Sequence, residues 1–407
     1  MQSGTRFPST PDAARARLAA VRPTAYAQSR NALDGAATQL SPYITHGLLS
    51  LPEVLRGVLA QGPLPVQHRF VAELGWRAWF QQAWADRGDG ILQSWHAGPR
   101  PEAAYTREMP ADVREARTGL PVVDRAVQQL YATGWLHNHA RLWLASYLVH
   151  GRGVHWRTGA DWLYGHLLDG DLASNHLSWQ WVAGTASAKP YLFNADNVAR
   201  YAPPDWHSPG SVIDTDYDTL ARRAAGTPFK APLPTPPGAD EPRCSGTPPA
   251  ALGAGPTTAL GAVAPDAAAV HGREVWLVHP WSLGALPDDL PPQTLVIGLL
   301  VDDFHRAWPW SPARWAFVGE RLAALAPLRW HGTADQIGRA LASARCVCTV
   351  DNPHIGRWLG RWAEALPAPA LFPPVARRCD SFSQWWTRSI RGLHDAGELL
   401  AALESQR

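Results

Sequence analysis

Apolar positions along this chain follow two different rhythms, and the change between them divides it. From residue 1 to about 222 the apolar residues recur at helical spacing, clearest over 124–130 and 137–148. Thr10 before Pro11 predicts a helix start, with Thr as cap and Pro at the first helical position. Ser50-Leu51-Pro52-Glu53 predicts a second start, as a capping box. From 273 to 407 the rhythm becomes short apolar runs, 275–278, 295–301 and 346–350, which read as buried strands. Helical stretches over 312–325, 334–343 and 353–365 separate or follow them, so the expected fold is a small doubly wound parallel α/β domain of flavodoxin or Rossmann type. Between the two, 223–272 is rich in Pro, Ala and Gly, has no periodicity, and reads as a linker. The predicted architecture is therefore multidomain: helical over 1–222, linker over 223–272, α/β over 273–407.

Composition narrows the class. Hydrophobic residues make up 46% of 407 and charged residues 18%, which is globular. A net charge of +2 gives no global field for nucleic acid, though it does not exclude a local basic groove. The four cysteines, Cys244, Cys346, Cys348 and Cys379, form no C-x-x-C and read as buried thiols, so no metal site is expected. The first twenty residues lack an apolar signal core and no run of about 20 apolar residues follows, which predicts a cytoplasmic protein without a membrane partner. The α/β region carries neither G-x-G-x-x-G nor a P-loop, so its sequence does not predict nucleotide binding there.

Candidate chemistry concentrates in 118–201. Trp135, Trp143, Trp156, Trp162, Trp179 and Trp181 alternate there with His137, Asn138, His139, Arg141, Asp169, Asp171 and Asn175. Such a mixture suits a large, flat, redox-active cofactor, although buried Trp is ordinarily core. Asn138 and Arg141, like Glu73 and Trp76, are three apart and share a helical face. Asp169-Gly170-Asp171 also reads as a turn feeding an N-cap, and TQLS at 38–41 reads as a helix cap.

Several motifs in order resemble the FAD-binding domain of the photolyase/cryptochrome family. They are ATQLSPYITHG, ELGWRAWF, TGWLHNHARL and LLDGDLASNHLSWQW, and the resemblance runs from about Tyr26 to Tyr201. It implies an all-helical domain holding FAD. Thr38, Gln39, Leu40 and Ser41 match the segment that binds the FAD phosphates, a task for hydroxyls and N–H groups near a helix start; Tyr26 matches a residue of the same shell. Gln39 stands where the family often has Arg. Asn138 and Arg141 match residues beside the isoalloxazine, with Arg141 paired to Asp169; Arg77 supports the cofactor, Asp171 contacts the flavin pyrimidine edge, and Asn175 lies beside N5.

The same resemblance implies that Glu73 hydrogen-bonds a flipped, damaged base and that Trp76 stacks on it. Trp181 and His139 line that pocket, and His137 stands where a proton-donating His is found. Leu142 replaces a residue that is His in (6-4) enzymes, which favours cyclobutane dimers. Trp156 and Trp179 match two links of an electron-transfer chain; the third is missing, and Tyr105 is the nearest replacement. In the family the antenna domain precedes the FAD domain. If 273–407 is antenna-like the order here is reversed, and an antenna pigment is left open. The function implied is light-driven repair of pyrimidine dimers in UV-damaged DNA by electron transfer from reduced FAD. The alternative is a cryptochrome-like blue-light receptor that acts through a signalling partner.

Overall fold

The computed structural model describes residues 7–226, 251–256 and 260–404, so Cys244 and most of the expected linker lie outside the described residues. Two compact units emerge. One comprises residues 1–21, 38–79 and 251–407, the other 22–37 and 80–250. These units cut across the 1–222 and 273–407 division suggested by composition. The physical reason is that Tyr43 and His46, in the helical half of the sequence, pack their rings on Phe317 of the α/β half at 6.1 and 5.3 Å. His46 Nδ1 also donates to the Pro280 carbonyl at 2.6 Å, and Leu283 N donates back to the His46 carbonyl at 2.8 Å.

The first unit is built on five parallel strands: β1 (Glu274–Val278), β2 (Leu295–Val301), β3 (Leu328–Gly332), β4 (Cys346–Val350) and β5 (Glu364–Leu366). Their order is β3-β2-β1-β4-β5, a doubly wound arrangement with its switch between β1 and β4. The predicted strands at 275–278, 295–301 and 346–350 all form. β3 and β5 carry too few consecutive apolar residues to announce themselves: β3 reads Leu-Arg-Trp-His-Gly and β5 is three residues long. The helix expected over 353–365 is shorter, Gly356–Trp362, because β5 takes the residues that follow.

Alternation along β4 sets Cys346 and Cys348 on one face of the sheet. Cys346 is exposed and Cys348 half-buried, so of the three described cysteines only Cys379 is buried as expected. The helix Pro11–Ala19 starts on the Thr10 cap, and Leu51–Leu59 on the Ser50–Glu53 capping box.

The second unit is helical. Pro121–Thr133, Asn138–Ser146, Trp156–His166 and Leu172–Ala183 pack around a core that includes Leu120, Val123, Val127, Leu144, Leu148 and Leu163. Gly134 closes the first of these helices at φ 64°, a left-handed cap that costs glycine little, and its N–H reaches the Leu130 carbonyl. The helix predicted from His137 gives way to one π turn over Tyr147–Gly151. Among the described residues no helix is long and apolar enough to cross a membrane.

Candidate flavin site

In the helical unit, the turn between the Trp156–His166 and Leu172–Ala183 helices brings three predicted residues to one place. Arg141, on the Asn138–Ser146 helix, directs Nη2 at both oxygens of Asp169, 3.0 and 2.7 Å away, while its Nε donates to the Leu136 carbonyl at 3.0 Å. The Asp169 side chain is 3% exposed and that of Arg141 24%. A buried carboxylate is costly unless paired, so the guanidinium is what allows Asp169 to sit there.

Two residues on, Asp171 caps its helix through Oδ1, accepting from Ser174 N and Oγ at 2.8 Å each. Its Oδ2 accepts from Gln81 Nε2 at 2.9 Å. Both readings of Asp169-Gly170-Asp171 therefore coexist: a helix cap and a buried acidic turn. Asn175 lies one turn further, donating Nδ2 to the Ala160 carbonyl at 2.9 Å. Asn138 is exposed at the first position of its helix, and Tyr26 is half-buried on the short helix Pro23–Ser29.

The two histidines are differently employed. His137 caps the Asn138–Ser146 helix: Nδ1 accepts from His139 N at 3.1 Å and Nε2 meets the Arg30 carbonyl at 2.9 Å. Those partners require the neutral ring with its proton on Nε2, and burial accordingly pushes its pKa down to about 4. Both ring nitrogens are thus engaged, Nδ1 as an acceptor and Nε2 on the Arg30 carbonyl. His139 stacks on Trp143 (5.6 Å, 7°) and on Tyr201 (4.8 Å, 28°), and its Nδ1 bonds the Asn31 carbonyl. It thus packs against two aromatic rings here. Trp181 is 40% exposed and leans on Tyr191 at 5.5 Å.

Trp156 and Trp179 belong to the buried core, 3% and 2% exposed. A Cβ added at Gly159 would come within 2.3 Å of the Trp179 ring, so Trp179 packs on the face of the Trp156–His166 helix that also carries Trp156. Trp156 Nε1 donates to Ser94 Oγ at 3.0 Å. Tyr105 meets His155 edge-on at 6.2 Å, and His155 lies 5.7 Å from Trp156. An aromatic path therefore runs Tyr105–His155–Trp156.

The remaining predicted residues fall in the other unit. Thr38, Gln39 and Ser41 are half-buried and Leu40 buried, at the start of the five-residue helix Ser41–Thr45. Gln39 adopts φ 54°, unusual for a residue with a side chain, and its Oε1 accepts from Arg17 Nη1 at 2.8 Å. Arg77 Nη2 donates to Thr45 Oγ1 at 2.7 Å, and Glu73 is exposed.

Trp76 does not present an open ring. Phe382 lies flat on it, centroids 4.0 Å apart and planes 12° from parallel, and Trp79 meets it edge-on at 5.4 Å. This contact covers one face of the Trp76 ring. Gln81, Ser94 and Phe382 were not singled out from sequence. Only Phe382 carried a signal, the aromatic density of FSQWW in a mostly polar stretch.

Residues 70–205 match the family model for the FAD binding domain of DNA photolyase. This region is similar to the FAD-binding domain of the photolyase/cryptochrome family. The chain is 39% identical over 222 residues to the deoxyribodipyrimidine photo-lyase of Streptomyces griseus, covering 51% of this chain and 48% of that one. It is 33% identical over 193 residues to the Escherichia coli K12 photo-lyase, covering 42% and 38%. Against cryptochrome DASH of Oryza sativa it is 33% identical over 171 residues, covering 40% and 29%. The chain thus spans less than half the length of each of these relatives. Among solved structures, a class III photolyase from Agrobacterium tumefaciens is 24% identical, with 53% of this chain and 54% of that one covered at a TM-score of 0.41.

The cofactor of such a domain is FAD, and the residues of the helical unit fit its ring. A reduced flavin is an anion or carries an N5–H. The partly exposed Arg141 side chain suits the charge, and the Asn175 amide, having donated to Ala160, has an Oδ1 that suits the N5–H.

Proposed function

We propose that this protein binds FAD and uses blue or near-UV light to repair pyrimidine dimers in DNA, cyclobutane dimers in preference to 6-4 products. The observation that carries this reading is the Arg141–Asp169 pair, set beside the Asp171 cap inside the region matched to a photolyase FAD domain. Bound FAD supplies light absorption and one-electron transfer. The chain's own residues supply position and electrostatics. Arg141 and Asn138 flank the ring, Asp171 holds its pyrimidine edge, Asn175 faces N5, and Thr38, Gln39, Leu40 and Ser41, with Tyr26 and Arg77, hold the rest of the cofactor. Trp156 and Trp179 relay electrons to the ring, with Tyr105 in place of a third tryptophan. Glu73, Trp76, His139 and Trp181 line the pocket that receives the damaged base.

The test is chemical. The purified, flavin-reduced protein is illuminated with an oligonucleotide carrying one cyclobutane thymine dimer, and dimer loss is scored by chromatography. Loss that needs both light and FAD supports repair. A second reading, a cryptochrome-like receptor acting through a partner, is favoured by one observation, the Phe382 ring covering Trp76. Flavin photochemistry with the dimer left intact would select it.

A further inference from the structure

We propose that Phe382 controls access to Trp76: its ring holds the place an extrahelical base would take, and DNA engages Trp76 by displacing it. This rests on the reading that Trp76 receives a base. The geometry of the pair is the first argument. Aromatic side chains usually meet offset or edge-on, about 4.5–7 Å between centroids, and the neighbouring pairs do so: Trp76–Trp79 at 5.4 Å and 86°, Phe372–Trp385 at 5.4 Å and 69°. Phe382 on Trp76, at 4.0 Å and 12°, is instead nearly face to face, as a base lies on an aromatic platform.

The second argument is which residues anchor the helix Phe382–Ser389. Trp385 is 2% exposed and Ile390 6%, so they bury its inner face, while Phe382 is only half-buried. The chain beyond is tied down by main-chain bonds, Val66 N to the His394 carbonyl at 2.9 Å and Ala396 N to the Leu64 carbonyl at 2.8 Å. Phe382 can therefore leave Trp76 while its segment stays attached, which keeps it at high local concentration as a competitor.

Gly75 is the third. A Cβ there would lie 2.4 Å from the Trp386 ring, so the glycine next to Trp76 is what lets this helix come so close. Finally, Arg377, Arg378, Arg388 and Arg391 around the helix are all exposed, a set of cations that draws a phosphate backbone toward the segment it must move.

The FAD-loaded full chain is tested against a single-stranded oligonucleotide bearing one cyclobutane thymine dimer, by fluorescence anisotropy, as wild type, Phe382→Ala, Phe382→Leu, Trp76→Ala and the Trp76→Ala/Phe382→Ala double variant. Phe382→Leu keeps apolar packing but removes the stack. Both single Phe382 variants are expected to bind about tenfold tighter, on the order of one base-stacking contact. That gain should vanish in the double variant. In the wild type, hydrogen exchange over 382–389 is expected to rise when the oligonucleotide binds.

Phe382 variants that bind no tighter, with wild-type flavin content and melting temperature, overturn the proposal, as does protection of 382–389 by DNA. If the wild type binds and repairs the dimer and the variants are no better, the repair function stands and the control by Phe382 falls. If no form binds or repairs, both fall.

Discussion

The turn at Asp169–Asp171 and the face of Trp76 both carry family motifs, yet they are finished in different ways. At the turn, partners lie within the helical unit and satisfy one another: Arg141 on Asp169, Gln81 and Ser174 on Asp171. On the Trp76 face, the finishing residue comes from more than three hundred positions later in sequence, and it covers the ring. A motif therefore names the residue types available, while what is accessible depends on which distant segment packs against them. The first region is closed by its own ion pair and hydrogen bonds. The second is built with an occupant already in place.

The largest expected effect breaks the first region. Asp169→Ala leaves the Arg141 charge without its acid. Breaking a buried pair costs roughly 3–5 kcal/mol, and the low end applies because the Arg141 side chain keeps 24% exposure. Thermal unfolding should show the loss, and the purified variant should carry little flavin. Asp169→Asn, which keeps a hydrogen-bonding oxygen, should lose less of both.

Acid separates buried histidine from site chemistry. Burial lowers His137, His150 and His166 from the usual 6.5 to about 4. Above pH 6.5 both folded and unfolded forms are neutral and stability is flat. Between 6.5 and 4 the unfolded chain takes up protons that the folded one refuses, so stability falls as pH falls. Below 4 the dependence ends. Each ring contributes up to roughly 3 kcal/mol. Urea unfolding at pH 7 and pH 5 checks this. His137→Asn, which keeps a capping acceptor, should flatten part of the slope without changing any light-driven activity at neutral pH. A loss of activity in that variant would point to an acid role for His137.

Gly159→Ala sharpens the core of the same unit. The new methyl meets the Trp179 ring, and overpacking of this kind costs about 1–3 kcal/mol. Because it moves one of the two proposed relay tryptophans, the rate of flavin photoreduction should fall with stability. The smallest effect is expected at Tyr105, only partly buried at the edge of that core. Tyr105→Leu should slow photoreduction while shifting the melting temperature little. An unchanged rate would mean electrons reach Trp156 by another route.

Much of this was legible in sequence, and the exceptions share a cause. Helix starts at Thr10 and Ser50, three of the five strands, and the residues of the Arg141–Asp169 pair could be read because caps, apolar runs and motif spacing are local signals. β3 was missed because its apolar residues alternate with Arg329 and His331, and β5 because three residues leave no pattern. The neutral state of His137 was hidden because the partner of its Nε2, the Arg30 carbonyl, is over a hundred residues away. Phe382 on Trp76 was hidden for the same reason at greater range.

The central claim, that the helical unit holds FAD through the Arg141–Asp169 turn, is met most directly by the flavin absorption of the purified full chain after mild dialysis. The account predicts close to one FAD per wild-type chain and strong depletion in Asp169→Ala. Wild-type protein that is folded, colourless, and unchanged in melting temperature on adding FAD would contradict it.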